Sequence, residues 1–130
     1  MMTIGRPIPN PRIHRRTGEA SVTLDPIRKA VILAAGVGDR LRPFTDEEPK
    51  CFVPVNGVPI LVNTLTHLAA LGTEEVVIVV GHHKERIIDR LGATYLDMTI
   101  TYVVSDEYAT TNNIYSLWLA RSHLTEDVLL

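Results

Sequence analysis

The sequence has little cysteine, few aromatic residues and no long apolar segment. Among its 130 residues Cys51 is the only cysteine, which excludes an intramolecular disulfide and a cysteine-ligated metal cluster. No apolar run approaches the ~18–20 residues that a membrane-spanning helix needs. The N-terminal arginines are not followed by the apolar segment of a secretory signal. We therefore expect a protein of the reducing cytoplasm that does not associate with a membrane.

An excess of basic residues is also absent. The formal net charge is -2 at pH 7, which argues against a general nucleic-acid-binding protein, because such proteins depend on a large excess of Lys and Arg. With 45% hydrophobic and 22% charged residues, the chain has the composition of one globular domain.

The chain divides into two parts. Residues 1–28 contain Pro7, Pro9 and Pro11, which disfavour a helix and remove backbone donors, so we predict an extended or disordered tail. Residues 29–130 alternate short apolar runs with segments of helical period. The runs predicted as strands are AVILAAG, EEVVIVVG, MTITYVV and DVLL, and the segments predicted as helices are PILVNTLTHLAALG, KERIIDRLG and NIYSLWLARS.

This alternation predicts an α/β fold with a mostly parallel sheet and helices on its faces. In such sheets ligands bind beyond the carboxyl ends of the strands. Two polar loops, residues 36–55 and 105–113, leave predicted strand ends. We therefore expect both loops at the same edge of the sheet. They are called the first loop and the second loop below.

The first loop combines glycine with positive charge. Gly36 and Gly38 let backbone N–H groups approach a ligand closely, and Arg40, Arg42 and Lys50 follow them. The loop lacks the third glycine of the dinucleotide fingerprint and the G-K-[ST] ending of the P-loop. Two interpretations are open for the cations: they bind phosphate, or the arginines pair on a solvated surface with the acidic residues Asp39, Asp46, Glu47 and Glu48. Glycines, arginine and lysine converging beyond a first strand favour phosphate.

Residues 33–61, LAAGVGDRLRPFTDEEPKCFVPVNGVPIL, resemble a family signature. The family is the nucleotidyltransferases that make nucleotide-activated sugars and alcohols, with the pattern L-A-A-G-x-G-x-R-L, P-x-T, P-K and P-V-x-G-x-P-I-L. The resemblance extends over residues 29–130 and implies the N-terminal, nucleotide-binding part of a Rossmann-like three-layer sandwich. It also implies transfer of a nucleoside monophosphate from an NTP to a phosphorylated acceptor, with release of pyrophosphate.

The resemblance implies roles for residues of the first loop. The backbone of Leu33, Ala34, Ala35, Gly36 and Gly38 would contact the nucleotide. Arg40 would hold its β- and γ-phosphates. Lys50 would lie near the α-phosphate and the incoming acceptor oxygen. Phosphoryl transfer depends mainly on positioning and on stabilising charge, which suits such cations.

The second loop narrows the substrate class. Residues 110–120, TTNNIYSLWLA, resemble a segment of bacterial cytidylyltransferases that act on phosphocholine or 2-aminoethylphosphonate. The resemblance implies CTP as the nucleotide, with Tyr108, Thr111, Asn112 and Asn113 as nucleotide-binding residues. One asparagine is expected to cap the following helix. We assign the cap to Asn113 and the contact with the pyrimidine edge to Asn112.

For the other candidate side chains we favour a role in packing or at the surface over a role in catalysis. Cys51 has no general base beside it in sequence, so a packed thiol is expected. His82 and His83 follow the second strand, where contact with phosphate or with a neighbouring loop is one interpretation. They lack the spacing of metal ligands, and we favour surface residues. An aromatic wall for a quaternary ammonium is a second interpretation of the residues Tyr108, Tyr115 and Trp118. The helical period favours core packing for the last two of these.

The resemblance also implies Mg²⁺. Its aspartate ligands normally follow the strand that begins DVLL, so the metal ligands and much of the acceptor pocket are expected beyond Leu130, in a longer enzyme. Three hypotheses remain: a cytidylyltransferase, a sugar-1-phosphate nucleotidyltransferase and a non-catalytic nucleotide-binding fragment. Whether the protein forms a homo-oligomer is left open.

Overall fold

The computed structural model describes residues 25–130. Of the predicted tail, residues 1–24 therefore lie outside the described residues, and residues 25–28 form no helix or strand. The helices and strands, in chain order, are β1 (Lys29–Ala34), β2 (Pro54–Val55), β3 (Val58–Pro59), α1 (Ile60–Ala70), β4 (Glu75–Val80), α2 (Lys84–Leu91), β5 (Thr94–Tyr95), β6 (Met98–Val104), α3 (Asn113–Leu119) and β7 (Val128–Leu129). Short 3-10 turns occupy Asp39–Leu41, Lys50–Phe52 and Ala120–His123.

The main sheet has the strand order β5–β6–β4–β1–β7. Strands β6, β4, β1 and β7 run parallel, whereas β5 is antiparallel to β6. The register pairs Ala34 with Val80 and Val80 with Val104, so β1, β4 and β6 end at the same edge. The predicted mostly parallel sheet is confirmed.

Helices cover both faces of the sheet. Because successive side chains of a strand point to opposite faces, β4 contributes to two cores. Val76, Ile78 and Val80 pack with the helices α1 and α2, through side chains that include Leu65 and Ile87. On the other face, Val77 and Val79 pack with a smaller cluster of buried side chains, Val31, Ala35 and Ala120. The result is the predicted three-layer arrangement.

Helix α1 follows directly from its sequence. Leu61, Leu65 and Leu68 recur at helical spacing, and all three are buried against the sheet. Gly72 has a φ of 86°, in the left-handed region where glycine is favoured, and the chain turns there after the helix. The predicted extent of this helix and its glycine terminus are confirmed.

Helix α3 differs from its prediction. Tyr115 and Trp118 were expected to pack in the core, but Trp118 is 53% exposed and Tyr115 is only half-buried. Ile114, on the same helix, is 77% exposed. The buried residue of the helix is the small Ser116. Core packing of Trp118 is therefore wrong, because the face of α3 that meets the sheet carries the small residue.

The β2–β3 hairpin was not predicted. Its strands have only two residues each, too few for a periodic signal. The available signal was the pair Asn56 and Gly57, whose φ values of 51° and 79° suit a two-residue hairpin turn. Asn-Gly between two valines therefore predicts the turn that the structure contains.

Within residues 25–130, no helix combines the length and apolar character that crossing a membrane requires.

Candidate functional site

The first and second loops leave two parallel strands at the same carboxyl edge of the sheet. The first loop follows β1, and the second follows β6. Strand β4 lies between them, and the turn that follows it, Gly81–His82–His83, separates the two loops. The carboxyl edge of the sheet is therefore built from three adjacent segments, as parallel strands require.

Gly38 is the tightest point of the first loop. Its φ is 74°, and a Cβ atom there would lie 2.9 Å from the Lys50 Cβ and 3.0 Å from the Thr45 Cγ2. The Thr45 hydroxyl donates to the Gly38 carbonyl at 2.9 Å. Lack of a side chain at position 38 thus lets Lys50 approach the start of the loop. Gly36 differs, since a Cβ atom there would meet nothing within 4 Å.

The cations of the first loop fall into two kinds. Arg42 lies 3.2 Å from an Asp39 carboxylate oxygen and 3.6 Å from one of Asp46, so the surface-pairing interpretation holds for it. Arg40 and Lys50 are exposed. Among residues 25–130, neither has a carboxylate within ion-pair distance. No acidic side chain of residues 25–130 therefore neutralises these two cations.

Leu33, Ala34 and Ala35 lie at the junction of strand and loop. Leu33 and Ala34 are the last residues of β1, in register with Val79 and Val80 of β4. The Ala35 carbonyl accepts from the backbone N–H of His82 at 3.2 Å. These backbone groups therefore fix the start of the loop to the neighbouring strand and its turn.

The turn after β4 also holds the middle of the first loop. His82 Nε2 lies 3.1 Å from the Thr45 carbonyl oxygen, and His83 Nε2 lies 3.0 Å from that of Asp46. Both histidines are half-buried, so describing them as surface residues was incomplete. Their contacts join residues 37 positions apart, which no local pattern in the sequence reveals.

A charged contact holds the far part of the loop to α2. Glu48 Oε1 accepts from Arg86 at 2.8 Å and from Arg90 at 3.0 Å. The Arg90 guanidinium also lies 4.6 Å from the centre of the Phe52 ring, and Phe52 is buried in the core. The sequence analysis missed this contact, which fixes the segment just before Lys50.

Cys51 is a packed thiol, as predicted. It lies half-buried against the core between Lys50 and Phe52. Burial raises the pKa of the Cys51 thiol to about 11, and the nearby Glu48 carboxylate acts in the same direction, while a backbone hydrogen bond and Arg90 oppose them. The thiol is therefore protonated at neutral pH and is a poor nucleophile.

The second loop is built mainly from short-range hydrogen bonds. The Thr110 and Thr111 hydroxyls donate to the Glu107 carbonyl at 3.3 and 2.7 Å. Asn112 Oδ1 accepts from the backbone N–H groups of Ile114 and Tyr115 at 3.1 and 3.3 Å. These contacts form one compact turn that leads into α3.

The assignment of the helix cap to Asn113 was wrong. Asn112 has extended backbone angles, φ -116° and ψ -177°, and its side chain reaches the N–H groups two and three residues later, as an N-cap does. Asn113 is already the first helical residue. Asn113 is exposed, and its amide has no hydrogen-bond partner among residues 25–130. Within the described residues, Asn113 thus has both its amide oxygen and its amide nitrogen available for a ligand, whereas Asn112 uses its oxygen in the cap and has only its nitrogen available.

Tyr108 connects the second loop to the turn after β4. A Cβ atom on Gly81 would lie 2.6 Å from the Tyr108 Cβ, so the tyrosine packs directly over the glycine. Its ring centre is 5.8 Å from that of His82. A cavity of about 410 Å³ opens between this turn and the second loop, and Ser105 and Asp106 also line it. Arg40 and Lys50 do not line this cavity.

The proposed aromatic wall divides into separate parts. Tyr115 and Trp118 stack with ring centres 5.8 Å apart, and the Arg121 guanidinium lies 3.8 Å from the centre of the Trp118 ring. Tyr108 packs against the turn after β4 instead. Trp118 is the most exposed of these three aromatic residues, and its ring is thus already in contact with a cation of the protein itself.

In the part of the chain that the structure describes, no three histidine, cysteine, aspartate or glutamate side chains come together to hold a metal ion.

The sequence is similar to a family of known proteins. Residues 29–128 match the family described as nucleotidyl transferase. Over 105 residues, 81% of the chain, the sequence is 50% identical to the CMP-5'-(3-aminopropyl)phosphonate synthase of Streptomyces rubellomurinus, of which 17% is covered. Over 102 residues, 78% of the chain, it is 41% identical to the UTP–glucose-1-phosphate uridylyltransferase of Haloferax volcanii, of which 41% is covered.

A solved structure has a similar fold. The CTP:phosphocholine cytidylyltransferase of Streptococcus pneumoniae superimposes with a TM-score of 0.65 at 40% identity, over 75% of this chain and 42% of that one. The chain therefore spans less than half the length of each of these three relatives.

Proposed function

The chain belongs to the nucleotidyl transferase family, and from that premise we propose that the protein transfers CMP from CTP to a phosphorylated amino-alcohol or a phosphonate. Phosphocholine and 2-aminoethylphosphonate are the acceptors that we favour. The names of two relatives support this choice, since one is a CMP-phosphonate synthase and the other a phosphocholine cytidylyltransferase.

The observation that carries the proposal is the state of the cations in the first loop. Arg42 is paired with acidic neighbours, whereas Arg40 and Lys50 have none within ion-pair distance among residues 25–130. The close approach at Gly38 brings Lys50 to the start of the same loop. Two unpaired cations beside a glycine-containing turn suit the negative charge of a triphosphate.

In the proposed reaction an oxygen of the acceptor phosphate or phosphonate attacks the α-phosphorus of CTP. The bond from that phosphorus to the oxygen bridging to the β-phosphate breaks, and pyrophosphate leaves. We assign Arg40 to the β- and γ-phosphates and Lys50 to the α-phosphate. Positive charge near the non-bridging oxygens stabilises the transition state more than the ground state, which accelerates the transfer.

We assign the pyrimidine to the second loop. The exposed amide of Asn113 offers both a donor and an acceptor, as the edge of cytosine requires. Tyr108 and Thr111 remain proposed nucleotide contacts in this loop. Asn112 caps α3 through its Oδ1, and its amide nitrogen remains a proposed nucleotide contact.

Mg²⁺ is proposed as the cofactor on the resemblance alone. When bound, the ion would neutralise charge on the phosphates. The described residues do not fit a metal site, and no step above is assigned to the ion.

The test compares nucleotides and acceptors separately. Isothermal titration of the protein with CTP, UTP, dTTP, ATP and GTP should give the lowest dissociation constant for CTP. Pyrophosphate release should then require phosphocholine or 2-aminoethylphosphonate. A chain that binds none of the five nucleotides would sink the proposal, and CTP binding without turnover of any acceptor would favour a nucleotide-binding module.

A sugar-1-phosphate nucleotidyltransferase is the second candidate. Its support is the 41% identity to a UTP–glucose-1-phosphate uridylyltransferase. This candidate predicts tighter binding of UTP than of CTP, and pyrophosphate release with glucose 1-phosphate. The same titration therefore decides between the two functions.

A further inference from the structure

We propose that His82 is a positioning residue for the first loop, and that its ring holds the loop so that Gly38 and Lys50 keep the arrangement used in nucleotide transfer. The claim that this arrangement serves nucleotide transfer rests on the proposed function. The claim that the His82 side chain holds the loop rests on contacts within the protein.

His82 contacts the first loop at two separated points. Its backbone N–H donates to the Ala35 carbonyl at 3.2 Å, where the loop begins. Its ring Nε2 lies 3.1 Å from the Thr45 carbonyl oxygen, near the middle of the loop. Because a carbonyl oxygen only accepts, Nε2 must carry the hydrogen in this contact. One residue thereby sets the distance between two parts of the loop.

Thr45 in turn contacts Gly38. Thr45 is 1% exposed, so its position is fixed by packing as well as by hydrogen bonds. Its hydroxyl donates to the Gly38 carbonyl at 2.9 Å, and its methyl carbon would lie 3.0 Å from a Cβ atom at position 38. The contact from His82 to Thr45 therefore determines where Gly38 lies.

Gly38 in turn lies against Lys50. The Lys50 Cβ would be 2.9 Å from a Cβ atom at position 38 and its Cγ 3.4 Å. A displacement of Gly38 therefore changes the surface on which the lysine side chain rests. Since the proposed transfer depends on the position of that ammonium group, a shift of about 1 Å should reduce its effect.

His83 provides a comparison within the same turn. Its Nε2 lies 3.0 Å from the Asp46 carbonyl oxygen. Asp46 is exposed and paired with Arg42, and among the described residues no hydrogen bond joins it to Gly38. The His83 ring also packs on that of His82, with ring centres 3.9 Å apart. Loss of the His83 contact should therefore disturb Gly38 and Lys50 less than loss of the His82 contact with Thr45.

The test uses two polar substitutions of the full chain that differ by one methylene. The amide nitrogen of glutamine can occupy the position of Nε2, whereas that of asparagine lies one bond short. His82→Gln should therefore keep the hydrogen bond to Thr45, and His82→Asn should lose it. His83→Asn serves as the control, because asparagine tolerates the left-handed backbone at that position, where φ is 53°.

Two measurements are made on each variant. Amide hydrogen exchange over residues 38–50, without nucleotide, should be faster in His82→Asn than in the wild type and unchanged in His82→Gln. The dissociation constant for CTP should rise about three- to tenfold in His82→Asn, the effect of one hydrogen bond. It should stay within about twofold of wild type in His82→Gln and in His83→Asn.

The outcomes separate this inference from the proposed function. If the wild-type chain does not bind CTP, the proposed function fails and the catalytic meaning of His82 fails with it. Hydrogen exchange still decides whether His82 holds the loop. Equal exchange in His82→Asn and His82→Gln would overturn the inference, whatever the chain binds. So would a loss of CTP affinity in His82→Asn with no change in exchange.

Discussion

The two loops at the carboxyl edge of the sheet are held in different ways. The first loop is fixed by residues far away in the chain: His82 and His83 bind its carbonyl groups, and Arg86 and Arg90 bind Glu48. The second loop is fixed mostly by its own residues, through hydroxyl bonds to the Glu107 carbonyl and through the cap at the start of α3.

This difference suits the two tasks that we propose for the loops. Long-range contacts fix Gly38 and the adjoining cations before a ligand arrives, which reduces the reorganisation that phosphate binding and transfer require. Local contacts give the second loop most of its shape, while Tyr108 packs it against the turn after β4 that also holds the first loop. Substitutions in the second loop away from Tyr108 should therefore change base preference with little effect on the proposed phosphate site.

The strongest test of the comparison is a pair of substitutions at cations of the first loop. Lys50→Ala should lower the rate of pyrophosphate release about 10²- to 10³-fold, because it removes charge stabilisation from the transition state. Arg42→Ala should change that rate by no more than about fivefold, since Arg42 is an exposed residue already paired with Asp39 and Asp46. Pyrophosphate release by the protein with CTP and its acceptor measures both effects.

The dissociation constant for CTP supplies the control for Lys50→Ala. It should change much less than the rate, because the ammonium group is assigned to the transition state more than to binding. Equal losses of rate and affinity would remove Lys50 from its proposed role. A large loss in Arg42→Ala would mean that its ion pairs open when nucleotide binds.

The second test concerns the two glycines of the first loop. Gly38→Ala should lower the free energy of unfolding by about 2–4 kcal/mol, because it adds a Cβ atom in a left-handed conformation and forces it against Lys50 and Thr45. Gly36→Ala should change it by less than about 0.5 kcal/mol, since the added atom meets nothing within 4 Å. Urea denaturation of the two variants measures the difference. Similar values for both would show that the loop adjusts freely around Gly38.

The sequence predicts an anion site in the first loop, which stays a prediction, but it did not reveal how the loop is held. Glycine, arginine and lysine after a buried strand were enough to indicate an anion site at the edge of a parallel sheet. Arg42 has Asp39 three positions before it and Asp46 four positions after it, the spacing at which side chains on one turn meet, whereas Arg40 has no acidic residue at either spacing; the sequence therefore held a signal for the pairing of Arg42 that was not used. The contacts of His82 and Glu48 depend on β4 lying beside β1, and strand order is not encoded in local patterns.

The second loop was predicted less accurately, for a local reason. The sequence TTNN contains two asparagines, and a shift of one residue in the start of α3 exchanges their roles. The same helix misled the prediction of the core, because its apolar residues are at helical spacing and yet Ile114 and Trp118 are exposed. Periodicity identifies the helix but does not reveal which of its faces meets the sheet.

The smallest predicted effect separates the two asparagines. Asn112→Ala should destabilise the protein by about 1 kcal/mol, because it removes the acceptor for two backbone N–H groups at the start of α3. Asn112→Asp should recover most of that loss, since aspartate caps as well as asparagine. Asn113→Ala should leave stability within about 0.5 kcal/mol of wild type, because its amide holds no bond among residues 25–130. Urea denaturation gives these values, and titration with CTP completes the comparison. Weaker CTP binding in Asn113→Ala with unchanged stability would support a contact between Asn113 and the base. Lower stability of Asn113→Ala would instead indicate that Asn113 caps α3.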